Sequence, residues 1–133
     1  MANSETFRPG FRISEIDVGV LILGTVGSPL LARLEESLAF ATLFTIAHFF
    51  LFCNVLRMTR SLELLWAALF VVFAASSFLI GFPAWGHTFT VMLAVTVIFA
   101  IIHVLQPSYH GAFWKQINPN LPHWWAIHGA DRR

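Results

Sequence analysis

Two histidines lie inside long apolar stretches of this chain, and their side chains are the best placed to do chemistry. His48 falls near the middle of the stretch 38–56, and His103 falls near the end of the stretch 88–105. An ionisable group inside hydrocarbon is costly and usually serves a function or a hydrogen bond. Because imidazole is a common axial ligand for the metal of a tetrapyrrole, we take both residues as candidate tetrapyrrole ligands.

A purely structural role is the interpretation that we place ahead of ligation for both histidines. A neutral imidazole can donate to a backbone or hydroxyl oxygen of a neighbouring helix. At 1.5 Å of rise per residue, the depths of His48 and His103 are expected to differ by roughly 7 Å, so a haem bridged by both would need tilted or offset helices. The other four histidines lie at or beyond the ends of the stretches, where water and headgroups are available: His87, His110, His123 and His128.

The segments that carry these histidines have the composition of membrane-spanning helices. No Asp, Glu, Lys or Arg occurs from Leu64 to Trp114, and the whole chain is 57% hydrophobic and 11% charged. About 20 mostly apolar residues are enough for one helix to cross a bilayer. We therefore predict an all-α integral membrane protein with three transmembrane helices, at residues 38–56, 62–82 and 88–105.

The region before the first of these spans, residues 1–37, is harder to assign. Ser14 followed by Glu15 and Asp17 predicts a helix N-terminus, and an apolar stretch follows as far as Val26. Gly24, Gly27, Ser28 and Pro29 then predict a break, which favours a short interfacial or re-entrant helix. A second helix could begin at Pro29 and run to about Leu56. If the stretch that ends at Val26 does cross the membrane, the chain has four spans.

The chain is expected to form one membrane domain over residues 1–133, with residues 106–133 as an interfacial tail rich in Trp.

The orientation of the chain in the membrane can be predicted from the excess of Lys and Arg that cytoplasmic segments carry. Three spans place Arg57, Arg60, Lys115, Arg132 and Arg133 on one side and Arg8, Arg12 and Arg33 on the other. We therefore expect a cytoplasmic C-terminus, in the inner membrane of a bacterium. Four spans would move Arg8 and Arg12 to the cytoplasmic side and strengthen the bias.

A short segment resembles a known family of pigment-binding proteins. The sequence Ile101, Ile102, His103, Val104 and Leu105, followed by Trp114, is similar to the end of an α-type bacterial antenna polypeptide. The resemblance covers about a dozen residues, and antenna polypeptides cross the membrane once. It implies that His103 binds bacteriochlorophyll and that Trp114 helps to hold the pigment.

Several function classes are not indicated by the sequence. It has no carboxylate pair within the spans, no glycine-rich phosphate loop and no nucleophile with an evident base, so we do not expect an enzyme. A net charge of +1 does not indicate nucleic-acid binding. We expect an accessory subunit that packs against other integral membrane subunits of a light-harvesting or electron-transfer complex, with bacteriochlorophyll or haem as its cofactor. The alternative is a homo-oligomeric small transporter or channel.

Overall fold

A computed structural model describes residues 7–128, and all regular secondary structure in that range is helical. The described α-helices are α1 (Glu15–Ala32), α2 (Glu36–Phe50), α3 (Arg60–Ile80), α4 (Trp85–Val104), α5 (Trp114–Ile117) and α6 (Leu121–His128). Helix α2 continues directly into a π-helical segment, Leu51–Leu56. Arg132 and Arg133, which entered the charge count above, lie outside the described residues.

Four helices are long and apolar enough to cross a membrane: α1, α2 with its π-helical segment, α3 and α4. The chain therefore has the makeup of an α-helical integral membrane protein. The last three of these helices coincide with the predicted spans, and only their ends are shifted by a few residues.

Helix α1 differs from the prediction, because it runs without a break through Gly24–Pro29. Its N-terminus does begin as expected, with Ser14 and Asp17 forming a capping box. The small residues serve packing: Gly24 lies against the side chain of Ile46, and Ser28 donates to the Ala39 carbonyl at 3.4 Å. Small residues let two helices approach closely in lipid. The predicted break, and with it the helix from Pro29 to about Leu56, is therefore wrong; the chain turns after Ala32 instead.

Helices α2, α3 and α4 pack around a core of aromatic side chains. Trp66 lies at its centre, with Phe52 and Phe70 at ring-centroid distances of 5.4 and 5.3 Å. The Trp66 indole also donates to the Thr96 hydroxyl at 2.9 Å, which joins α3 to α4. Because lipid tails are as apolar as the core, close ring packing and such hydrogen bonds hold the helices together.

The direction of the four long helices alternates along the chain. Gly81 ends α3 in the left-handed conformation (φ 69°), which glycine adopts without steric cost, and the chain turns into α4. The start of α1, the end of α2, the start of α3 and the end of α4 consequently meet at one end of the bundle. We call this the polar end, because it gathers Asp17, Asn54, Glu63 and His103 together with the described segments 7–14 and 105–128.

Candidate functional site

His48 lies in α2, where one of its ring nitrogens is hydrogen-bonded and the other has no partner among the described residues. Its Nδ1 atom is 2.7 Å from the Phe44 carbonyl oxygen, which can only accept, so Nδ1 carries the hydrogen. The other nitrogen, Nε2, therefore keeps its lone pair, and it has no hydrogen-bond partner among the described residues. Metal-binding histidines in proteins show this arrangement, in which the second ring nitrogen donates to a carbonyl and fixes the tautomer.

Aromatic rings hold the His48 imidazole in place. It stacks on Trp66 with a centroid distance of 4.7 Å and an angle of 15°, and Phe44 and Phe52 contact it at 4.1 and 5.8 Å. The side chain is 6% exposed, so its ring is covered on most sides. A ring that is locked in one orientation presents its Nε2 lone pair in a single direction, as a ligand nitrogen must.

His103 is placed differently, because it is fully buried where α4 meets the end of α2. Its Nε2 atom lies 3.1 Å from the Leu56 carbonyl oxygen, to which it donates. Its Nδ1 atom is enclosed and lacks a hydrogen-bond partner in the part of the chain described. The hydrogen bond to Leu56 is the kind of contact that a structural role for His103 requires. The ligand role of His103 stays a prediction.

The two histidines do not face a common site. His103 lies at the level of Leu56, which follows His48 by eight positions, so the imidazoles differ in depth by roughly 12 Å rather than roughly 7 Å. Trp114, the expected pigment contact, packs edge-on against Phe7 at 5.9 Å. Within residues 7–128, no ring contact joins His48, His103 and Trp114 to one another, and no three His, Cys, Asp or Glu side chains are grouped to hold a metal ion.

His103 supplies a hydrogen-bond donor to a backbone carbonyl of the π-helical segment. A π-helix closes wider hydrogen-bonded rings than an α-helix; it is rare and often occurs at functional sites. Its last carbonyl oxygens are bound from outside the helix: Asn54 by the Arg12 amide at 3.3 Å, and Val55 by the Ala112 amide at 2.7 Å. His103 binds the carbonyl of Leu56. These bonds satisfy backbone groups that would be costly to leave unpaired near lipid.

The tail contacts the π-helical segment through Gly111. A side chain at this position would lie 2.6 Å from the Leu56 oxygen and 2.7 Å from the Val55 oxygen, so only glycine fits. Tyr109 supports the turn by donating its hydroxyl to the Ala112 carbonyl at 2.8 Å. Burial raises the pKa of the Tyr109 phenol above its ordinary value.

A second polar contact at this end is made by Asn54, which as an amide in an apolar stretch is expected to hydrogen-bond to another helix; the sequence does not indicate its partner. Asn54 is 2% exposed, and its amide nitrogen donates to the Arg12 carbonyl and, at 2.9 Å, to Oδ2 of Asp17. The same Asp17 oxygen accepts from the Ser14 hydroxyl at 2.6 Å and from the Ser14 amide at 2.7 Å. The carboxylate that caps α1 is therefore also bonded to the end of α2. No local pattern indicates this pairing.

Comparison with known proteins adds nothing to this geometry, since no family model, curated protein or solved structure matches the chain.

Proposed function

We propose that this protein is a four-span subunit of a bacterial inner-membrane complex for light harvesting or electron transfer, in which His48 serves as an axial ligand to a tetrapyrrole. The observation that carries the proposal is the state of the His48 ring. Its Nδ1 hydrogen is held by the Phe44 carbonyl, its Nε2 lone pair has no partner among the described residues, and its plane is fixed against Trp66. A bound tetrapyrrole would supply light absorption or one-electron transfer.

The outer face of α3 supports packing against another subunit. Ala68 and Ala75 are exposed and seven positions apart, which places them on one face of the helix two turns from each other. Small side chains on an outward face allow the backbone of a second transmembrane helix to approach closely. His48 belongs to the adjacent helix of the bundle, so a cofactor there could be shared with a partner subunit.

The distribution of charge supports four spans with the polar end in the cytoplasm. Arg8, Arg12, Arg57, Arg60 and Lys115 lie at the polar end, and among the described residues only Arg33 lies at the other. This bias is stronger than the one obtained with three spans, and cytoplasmic segments carry such an excess of Lys and Arg.

Labelling of single cysteines tests the span count. In a Cys53→Ala background, Arg8→Cys and Lys115→Cys are expected to react with a membrane-impermeant maleimide from the same side, and Arg33→Cys from the other. Labelling of Arg8→Cys and Lys115→Cys from opposite sides would instead support three spans.

An absorption spectrum tests the cofactor. The protein would be purified gently through a tag from its own host membranes, as the wild type, as His48→Ala and as His87→Ala, the control in which an exposed histidine is removed. We expect tetrapyrrole bands in the wild type and in His87→Ala and their loss in His48→Ala. A wild-type spectrum that shows only aromatic amino acids would refute cofactor binding.

The subunit composition of the same preparation tests the accessory role. Comigration with unrelated integral membrane proteins supports it, whereas a stable assembly of this chain alone would favour the homo-oligomeric transporter or channel. The buried hydroxyls do not line a polar path for such a channel, because they bond within the bundle. Ser77 and Thr88 bond to each other at 2.7 Å, and Thr96 bonds to Trp66.

A further inference from the structure

A cleft of about 620 Å³ opens at the polar end, between the N-terminal segment and the tail. Three arginines line it: Arg8 and Arg12 from the segment before α1, and Arg57 from the turn after the π-helical segment. The rest of its wall includes Phe7, Phe11 and Trp125. Cationic and aromatic side chains are thus combined at the level where a bilayer has its headgroups.

The cleft has an excess of positive charge. No carboxylate lies within 4.0 Å of Arg8, Arg12 or Arg57 in the described range, where the sole ion pair joins Arg60 to Glu63 at 3.6 Å. Asp17 acts on Arg12 at longer range, but its carboxylate accepts hydrogen bonds from Ser14 and Asn54. Within residues 7–128, these three guanidinium groups therefore lack a carboxylate in direct contact to neutralise them.

Arg57 is fixed in the cleft by its backbone and by one hydrogen bond. It follows the π-helical segment in the left-handed conformation (φ 50°), which is uncommon for a residue other than glycine. Its Nη1 atom donates to the Arg8 carbonyl at 2.6 Å, which orients the guanidinium and leaves its other donors for a ligand. Burial and the nearby Arg12 lower the pKa of Arg57. An anion between Arg12 and Arg57 would relieve their repulsion.

We propose that this cleft binds the phosphate group of an anionic phospholipid, with Arg12 and Arg57 as its direct ligands. The planar fork of arginine matches phosphate oxygens in a bidentate manner. Basic pockets between transmembrane helices on the cytoplasmic side are suited to phospholipid headgroups. Phe11 is 55% exposed beside the cleft and contacts Phe50 of α2 at 6.0 Å, so it offers an apolar surface to the lipid's glycerol and acyl portions.

A titration of delipidated protein in neutral detergent tests the proposal. The ligands are short-chain phosphatidylglycerol, the matching phosphatidylcholine, and glycerol phosphate as the free phosphate ester. Binding is followed by tryptophan fluorescence, since Trp125 lines the cleft, and bound lipid is counted by native mass spectrometry. We expect saturable binding of phosphatidylglycerol, about tenfold tighter than that of phosphatidylcholine, because charge-assisted bonds of this kind are worth one or more factors of ten.

The variants separate the cleft from general charge attraction. Arg12→Gln and Arg57→Gln should each weaken phosphatidylglycerol binding by about tenfold. Arg33→Gln at the opposite end and Lys115→Gln at the polar end remove the same charge outside the cleft and should leave binding unchanged. Arg57→Gln also removes the bond to Arg8, whereas the Arg12 side chain makes no hydrogen bond within the described residues, so Arg12→Gln tests the site without that complication.

Each other outcome is decisive. Equal affinity for the two lipids, or an equal loss in Lys115→Gln and Arg12→Gln, would overturn the proposal. Glycerol phosphate binding as tightly as phosphatidylglycerol would uphold the phosphate assignment and overturn the lipid as its source. None of these outcomes depends on whether His48 binds a tetrapyrrole.

Discussion

The imidazole of His103 and the carbonyl of Leu56, 47 positions apart in the chain, are joined by a hydrogen bond of 3.1 Å. The bond lies where the last helix meets the π-helical end of α2, and it satisfies a carbonyl that the π-helix leaves open. A histidine inside an apolar helix can thus be explained by the backbone of its neighbour. The same bond distinguishes His103 from His48, whose hydrogen bond stays within its own helix.

Replacing His103 by phenylalanine should destabilise the protein, because the Leu56 carbonyl would stay buried without its donor. Such a loss costs about 1–3 kcal/mol. Thermal unfolding in detergent measures it, and His87→Phe, at an exposed position, is the control. Equal stability of His103→Phe and His87→Phe would contradict the structural role of His103.

The close contact of α1 with α2 should depend on Gly24. A methyl group at this position overlaps the end of the Ile46 side chain, so Gly24→Ala forces that side chain to move, at a cost of about 1 kcal/mol. Gly27 has open space around it, and Gly27→Ala should leave stability unchanged or slightly raised. Unfolding by denaturant in detergent compares the two. If Gly24→Ala is as stable as Gly27→Ala, α1 does not pack on α2 as described.

The hydrogen bond between Trp66 and Thr96 should appear as a coupling energy. In a double-mutant cycle of Trp66→Phe and Thr96→Val, we expect about 0.6 kcal/mol and at most about 1.7 kcal/mol, the range found for such bonds in membrane proteins. Thr90 donates to the Gly86 carbonyl of its own helix, so a cycle of Trp66→Phe with Thr90→Val should give no coupling. Equal couplings in the two cycles would show that Trp66 does not bond to Thr96.

Tyr109 should make stability depend on pH in the alkaline range. Because burial raises its pKa in the folded protein, the phenol contributes stability that is fully present below its ordinary pKa of 10.0. That contribution is lost as pH rises from there through the higher folded-state pKa. It is the one tyrosine in the chain, so near-ultraviolet phenolate absorbance reports its titration directly. Tyr109→Phe should unfold with a weaker pH dependence, and an unchanged dependence would contradict burial of the phenol.

The three C-terminal spans could be predicted because they depend on local composition. An uncharged run is long enough for two helices, and the preceding stretch ends at Arg57. Helix α1 could not be predicted in the same way, since Gly24 and Ser28 typically weaken a helix. Here they are placed by contacts with Ile46 and Ala39, which only the fold brings near.

The candidate sites also differ in whether they depend on local sequence or on contacts made only in the fold. His48 could be chosen from the sequence because it is an isolated polar residue in an apolar helix, and its bond to Phe44 lies within one helical turn. The bond between Asn54 and Asp17 and the cleft around Arg57 join residues far apart in the chain. The π-helical segment itself has no sequence signal that distinguishes it from the α-helix before it.

The hydrogen bonds at the polar end form in a fixed order as the chain is synthesised. The backbone oxygens of the π-helical segment are bound by Arg12, which is made early, and by His103 and Ala112, which are made late. During translation, α2 therefore enters the membrane before all its acceptors have donors. A chain that stalls before α4 would leave the Val55 and Leu56 carbonyls without these donors.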